Sequence, residues 1–165
     1  MSADPDAEEA AARASRASTA VTQHMKLALG IGLIPVPVLD FAALAALQFR
    51  LIRSLARIYQ VDFSAQLAKV AIAALVGGGG PTAASMGVRR LIGRLAGPAF
   101  ILAGAASTAV FAGASTFAIG RVFTLHFDSG GTLLSFDPER VRDFYTKALA
   151  EGREEIARSY AGVQP

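Results

Sequence analysis

The sequence predicts an all-α fold, a helical membrane-associated bundle with broken or re-entrant apolar hairpins and a C-terminal amphipathic helix. Three observations carry that expectation. Leu95 to Ile119 holds 25 residues and no charge, and as a helix it would run about 37 Å, enough to cross a hydrocarbon core of about 30 Å. A second apolar block, residues 27–49, is broken by Pro35 and Pro37. The segment after Ser135 repeats apolar residues at helical spacing and keeps one side polar,. Across the 165 residues only 18% are charged and mean hydropathy is +0.43. Soluble domains average about 25% charged, and the deficit lies between Leu27 and Ile119. With no cysteine, disulfides and thiolate metal sites are excluded.

Residues 1–23 are acidic first and then Ala-rich, which predicts a mobile tail turning helical after Ser18 or Thr19. The segment neither starts basic nor reaches an apolar core early, so it lacks the pattern of a signal peptide. Residues 24–157 read as the folded domain and 158–165 as a C-terminal tail. In the block 27–49, 12 of 23 residues are Leu, Ile, Val or Phe. Pro35 and Pro37 each remove a donor and disfavour helix at the preceding residue, so two half-helices fit better than one span. Asp40 then stands where a helix start needs a side-chain acceptor; the competing reading is a functional carboxylate within a membrane.

From Phe41 to Tyr59, Leu44, Leu47, Leu51, Leu55 and Ile58 recur at three and four, the spacing of an amphipathic helix. Arg50, Arg53 and Arg57 mark another face, which could meet anionic headgroups, dock an acidic partner or stay solvated. Nucleic acid is not expected, because no set of stacking aromatics accompanies the arginines. Asp62 and Ser64 offer caps for a helix over 65–76. The run Gly77-Gly78-Gly79-Gly80-Pro81 ends it; no Gly-Lys-Ser/Thr follows, so it is a hinge and not a phosphate loop.

A helix restarting at Thr82 or Ser85 brings Arg89, Arg90 and Arg94 ahead of the central stretch, as further candidates for membrane-surface or partner contact. In that stretch 16 of 25 residues are Gly, Ala, Ser or Thr. Its eight Leu, Ile, Val and Phe residues contribute roughly −0.3 to −0.6 kcal/mol each to insertion. This helix wants close neighbours more than lipid. Gly93 and Gly97, then Ala105, Ala109 and Gly113, fall four apart as in small-residue packing faces. It reads as a helix packed within a membrane bundle, or else as the buried centre of a soluble all-helical domain.

Gly130 and Gly131 can stop the helix that follows, and His126 in its last turn suits the helix dipole. His24 and His126 are the two histidines, a hundred residues apart, so no metal site is expected. Asp137 and Pro138 read as cap and first residue of the last helix, with Phe136 able to staple onto Val141. Asp143–Lys147 and Glu154–Arg158 are spaced for i,i+4 pairing.

Three motifs, in order, resemble one family. They are Gly32-Leu33-Ile34-Pro35-Val36-Pro37 with Asp40; Ala56 to Ser64, including Tyr59 and Phe63; and Ala118 to Gly131, including Gly120, His126, Phe127, Gly130 and Gly131. The family is the YcjF-like one, the domain of unknown function 697, and the similarity covers about residues 24–157. The resemblance implies a bacterial membrane module that works with a GTPase-type partner, either fused or separate. It brings no catalytic residues.

The residues place no nucleophile beside a base and no carboxylate pair, so no enzyme and no cofactor is expected. The expected function is a membrane module that anchors or couples to a GTPase-type partner or remodels the bilayer. The alternatives are a soluble oligomeric scaffold and a channel or transporter subunit. Membrane lipid and further copies of the chain are the other expected partners, and the bacterial cytoplasmic membrane is the expected location. Topology signals conflict. Loop 50–94 carries seven positive residues against one negative, which as a loop between two spans would lie in the cytoplasm with both tails outside. Re-entrant hairpins instead put the loop and both tails on the cytoplasmic face.

Overall fold

The computed structural model describes residues 5–33, 37–79 and 98–161, with side chains at 5–33, 42–76 and 106–160. Among the described residues the chain is all-helical: α1 Pro5–Gly32, α2 Pro37–Ile58, α3 Ala65–Gly79, α4 Pro98–Asp128 and α5 Arg142–Ala161. The expected fold class is observed.

The poorly amphipathic α4 is the helix on which α1, α2 and α5 pack. Its buried side chains run from Ala109 through Ser115 and Ile119 to Phe127 and cover most of its circumference, leaving Arg121, Leu125 and Asp128 as an exposed stripe,. Small residues set how closely those neighbours approach. A Cβ on Gly32 would lie 2.5 Å from the Ala109 Cα, and one on Gly120 would lie 2.6 Å from Val21 Cγ2. On Gly113 it would meet Leu29 Cδ2 at 2.8 Å and Ile156 Cδ1 at 3.0 Å, and on Gly152 the Ala114 Cα at 3.0 Å. These contacts run α1 and α5 antiparallel to α4. On α2, Gln48 meets Ser115 and Thr116 while Tyr59 meets Phe127, so α2 runs parallel to α4 and antiparallel to α1.

The predicted stripe on α2 is the buried one: Leu44, Leu47, Leu51 and Leu55 are buried and Ile58 partly so. Ser64 caps α3, accepting the Leu67 N–H at 3.4 Å. Two helix ends share one closing pattern. The Gly131 and Gly130 N–H groups donate to the His126 and Phe127 carbonyls at 2.9 and 3.0 Å, with Gly130 at φ 80°. Val61 and Gln60 donate likewise to Ala56 and Arg57 at 2.8 and 3.3 Å, with Gln60 at φ 56°. Both ends satisfy last-turn carbonyls through a left-handed residue.

Several boundaries differ from expectation. Where a tail was expected over 1–23, α1 is helical from Pro5, because Ala-rich sequence favours helix and Ala17, Ala20 and Val21 bury against the bundle. The expected boundary at 157 falls inside α5, which continues to Ala161. Pro37 opens α2, where its fixed φ suits a first helical position,. Asp40 therefore lies in the first turn and not at the cap. Asp137 accepts the Glu139 N–H at 3.1 Å, but regular helix starts only at Arg142, after a turn in which the Arg142 N–H reaches the Glu139 carbonyl at 3.4 Å. Arg158 pairs with Glu155 at 3.0 Å and not with Glu154. Phe136 stacks on Phe123 with ring centroids 4.6 Å apart.

Candidate functional site

The helix directions give the bundle two chemically different ends. At one lie the close of α1, the start of α2 and the start of α4. Apart from Asp40, no residue from Leu27 to Phe49 is charged, and none is from Pro98 to Gly120. Leu27 and Leu33 are more than half exposed there, and Ala42, Ala43, Ala45 and Ala46 are exposed beside them. At the opposite end lie the start of α1, the close of α2, the close of α4 and the loop leading to α5. Leu125 and Leu134 are exposed in that region as well, among charged and polar neighbours such as Asp128, Ser129 and Asp137.

The second and third sequence motifs meet at this charged end. Tyr59 is buried, its ring 6.3 Å from that of Phe127, with the Arg13 guanidinium over it at 5.9 Å. Burial raises the Tyr59 pKa above its usual value, and nearby Asp128 raises it further against the opposing effect of Arg13. Among the described residues the buried Tyr59 hydroxyl and the Arg13 Nε have no hydrogen-bond partner. Phe63 stands edge-on to Phe49 at 5.1 Å under the Arg53 guanidinium at 5.9 Å. The His126 ring covers Gly131, donates from Nε2 to the Thr132 carbonyl at 2.8 Å and meets Phe136 edge-on at 5.2 Å. These residues lock helix ends. The first motif is at the other end, where Gly32 seats against Ala109. Pro35 lies outside the described residues, and of Pro37 and Asp40 only the helical backbone is described.

Arg50, Arg53 and Arg57 are all exposed on α2. Arg89, Arg90, Arg94, Gly93 and Gly97 lie outside the described residues, as does the side chain of Ala105. Ala109 and Gly113 are buried between α1, α4 and α5, so this part of the small-residue face is covered within one chain.

One feature escaped the sequence reading. Gln48, Ser115 and Thr116 are almost wholly buried, with Gln48 Nε2 donating to Ser115 Oγ at 3.2 Å and to Thr116 Oγ1 at 3.4 Å. Ser115 Oγ in turn donates to the Ala112 carbonyl at 3.1 Å. The signal was present: Gln48 falls between Leu44, Leu51 and Leu55 on the apolar stripe, where an amide needs a buried partner.

The chain matches the family described as a domain of unknown function (DUF697) over residues 6–153. It is 32% identical over 142 residues to magnetosome membrane protein 22 of Magnetospirillum gryphiswaldense, an alignment covering 86% of this chain and 73% of that protein. No solved structure matches it. The match begins one residue into α1, so the first helix is part of the shared domain. The motifs at Gly32, Tyr59 and His126 and the match along the chain lead to one conclusion: this protein belongs to the DUF697 family.

Proposed function

We propose that the protein is a non-catalytic membrane module, which buries the uncharged end of its bundle in the bilayer and presents the charged end to the cytoplasm. The observation that carries this reading is the convergence of three helix segments, α1 from Leu27, α2 to Phe49 and α4 from Pro98, in which Asp40 is the single charge. The membrane-protein relative supports it.

The depth of burial follows from α5. Ile156 packs at the level of Gly113, and Arg153, Glu154 and Arg158 are exposed on the same part of α5. Charges on that face keep hydrocarbon from passing Gly113, because each would cost about 2.5–3.5 kcal/mol at a bilayer centre. The part of α4 beyond it, Pro98–Gly113, is 16 residues, or about 24 Å. That is short of a core of about 30 Å. The most apolar 18 residues of the candidate span Ala106–Asp128 are themselves 61% buried inside the bundle. The chain therefore enters as re-entrant hairpins and does not cross. The charged end is proposed to engage the GTPase-type partner that the family resemblance implies.

Single cysteines test the topology without background, since the chain has none. Introduced at Ser15, Ser54 and Ser159, all three should react with an impermeant maleimide from the cytoplasmic side only. Reaction of Ser54→Cys from one side and of the two outer positions from the other would restore two true spans. Fractionation of the protein away from membranes would remove the membrane reading altogether.

A further inference from the structure

We infer that Lys26 and Arg50 form a one-sided basic collar that binds anionic phospholipid headgroups where the apolar end enters the bilayer. This rests on the membrane reading above. Contacts along α4 give the described residues of α1, α2 and α5 a depth. Leu29 sits at Gly113 and Val21 at Gly120, which puts Lys26 about 4–5 Å on the charged side of Gly113 at 1.5 Å per helical residue. Gln48 sits at Ser115 and Thr116, which puts Arg50 about 7 Å from the same level. The two cations, on adjacent and mutually packed helices, therefore share one layer. Both are exposed, and the exposed residues next to them toward the apolar end are Leu27, Ala45 and Ala46.

The acidic groups at this depth are on α5. Glu151, Glu154 and Glu155 accompany Arg153 and Arg158 there, and Glu155 already pairs with Arg158. Asp40 is in α2, ten residues before Arg50 and deeper in the apolar end. The collar is thus cationic on the α1–α2 side and close to neutral on the α5 side. An anionic surface draws in the first side.

The arginine stripe is consequently graded and not uniform. Arg53 is one turn further from the surface than Arg50. Arg57 is seven residues further, or about 10 Å, close to the distance over which physiological salt screens exposed charge. A basic residue beside an anionic surface strengthens binding about fivefold, and one a screening length away adds little.

The test is cosedimentation with vesicles of phosphatidylglycerol and phosphatidylcholine, and with pure phosphatidylcholine. Lys26→Gln and Arg50→Gln should each weaken binding to the mixed vesicles about fivefold, and together about 25-fold. Arg57→Gln should change it less than twofold, and none of these variants should bind pure phosphatidylcholine differently. Equal losses at Arg50 and Arg57, or losses of the same size on both vesicle types, would overturn the collar. Failure of the unaltered protein to bind either vesicle would overturn the membrane reading beneath it. Because all three side chains are exposed, unchanged helical circular dichroism accompanies each expected result.

Discussion

Gln60 closes α2 in the left-handed region at φ 56°, where a side chain costs about 1–2 kcal/mol. Glycine removes that cost but gives the unfolded chain more freedom. Gln60→Gly should therefore stabilise the protein by about 0.5–1 kcal/mol, read as a higher melting temperature in mild detergent, and a lower one would refute the argument. The corresponding position after α4 is already glycine. That explains why Gly130 was legible in the sequence as a helix stop and Gln60 was not. Tyr145 gives a second test. Burial pushes its pKa from 10.0 up to about 12, with Arg153 opposing. The folded state thus holds the phenol proton more tightly than the unfolded state. Its contribution is complete below pH 10 and is lost as pH rises toward 12, a fall of about 2–3 kcal/mol. Denaturation measured across that window should show the fall, and Tyr145→Phe should flatten it. An unchanged slope in the variant would assign the effect elsewhere.

At the scale of helices, the contacts of α4 decide which glycines matter. Gly30 and Gly32 are two residues apart on α1, yet a Cβ on Gly30 meets nothing within 4 Å while one on Gly32 runs into the Ala109 backbone. Gly30→Ala should stabilise α1 by about 0.5–1 kcal/mol through helix propensity. Gly32→Ala should cost about 1–3 kcal/mol by forcing α1 away from α4. Chemical denaturation of both variants checks the pair, and effects of the same sign would contradict the packing. Sequence spacing alone marked Ala109 and Gly113 as a packing face, because small residues four apart on an apolar helix leave few other uses. It could not mark Gly32, Gly120 or Gly152, since each acts against one or two residues on a different helix. The same limit applies to the last helix. Asp137 and Pro138 read as cap and first helical residue, yet Asp137 only caps a turn and the helix starts at Arg142, beside a Phe136–Phe123 stack that reaches across the bundle.

For the molecule as a whole, the two apolar blocks predicted helices that need partners, and the structure shows those partners to be each other. Tertiary burial decided what hydropathy could not. A 23-residue stretch apolar enough to span is largely enclosed by its own chain, and the first segment is helix because it is Ala-rich and buries Ala17, Ala20 and Val21 against the bundle,. The arrangement also makes the two ends of the chain unequal as points of attachment. α1 is a continuous helix of 28 residues, about 42 Å long. Its residues 5–12 are all exposed, running past Arg13 and beyond the floor of the bundle. A protein or label joined ahead of Pro5 would ride at the tip of a rigid spacer, some 40 Å from the apolar end at 1.5 Å per residue. One joined after Ala161 would start beside that end. The first position gives reach and the second gives proximity, so the order of a fusion sets its distance from the apolar end with no change in the bundle.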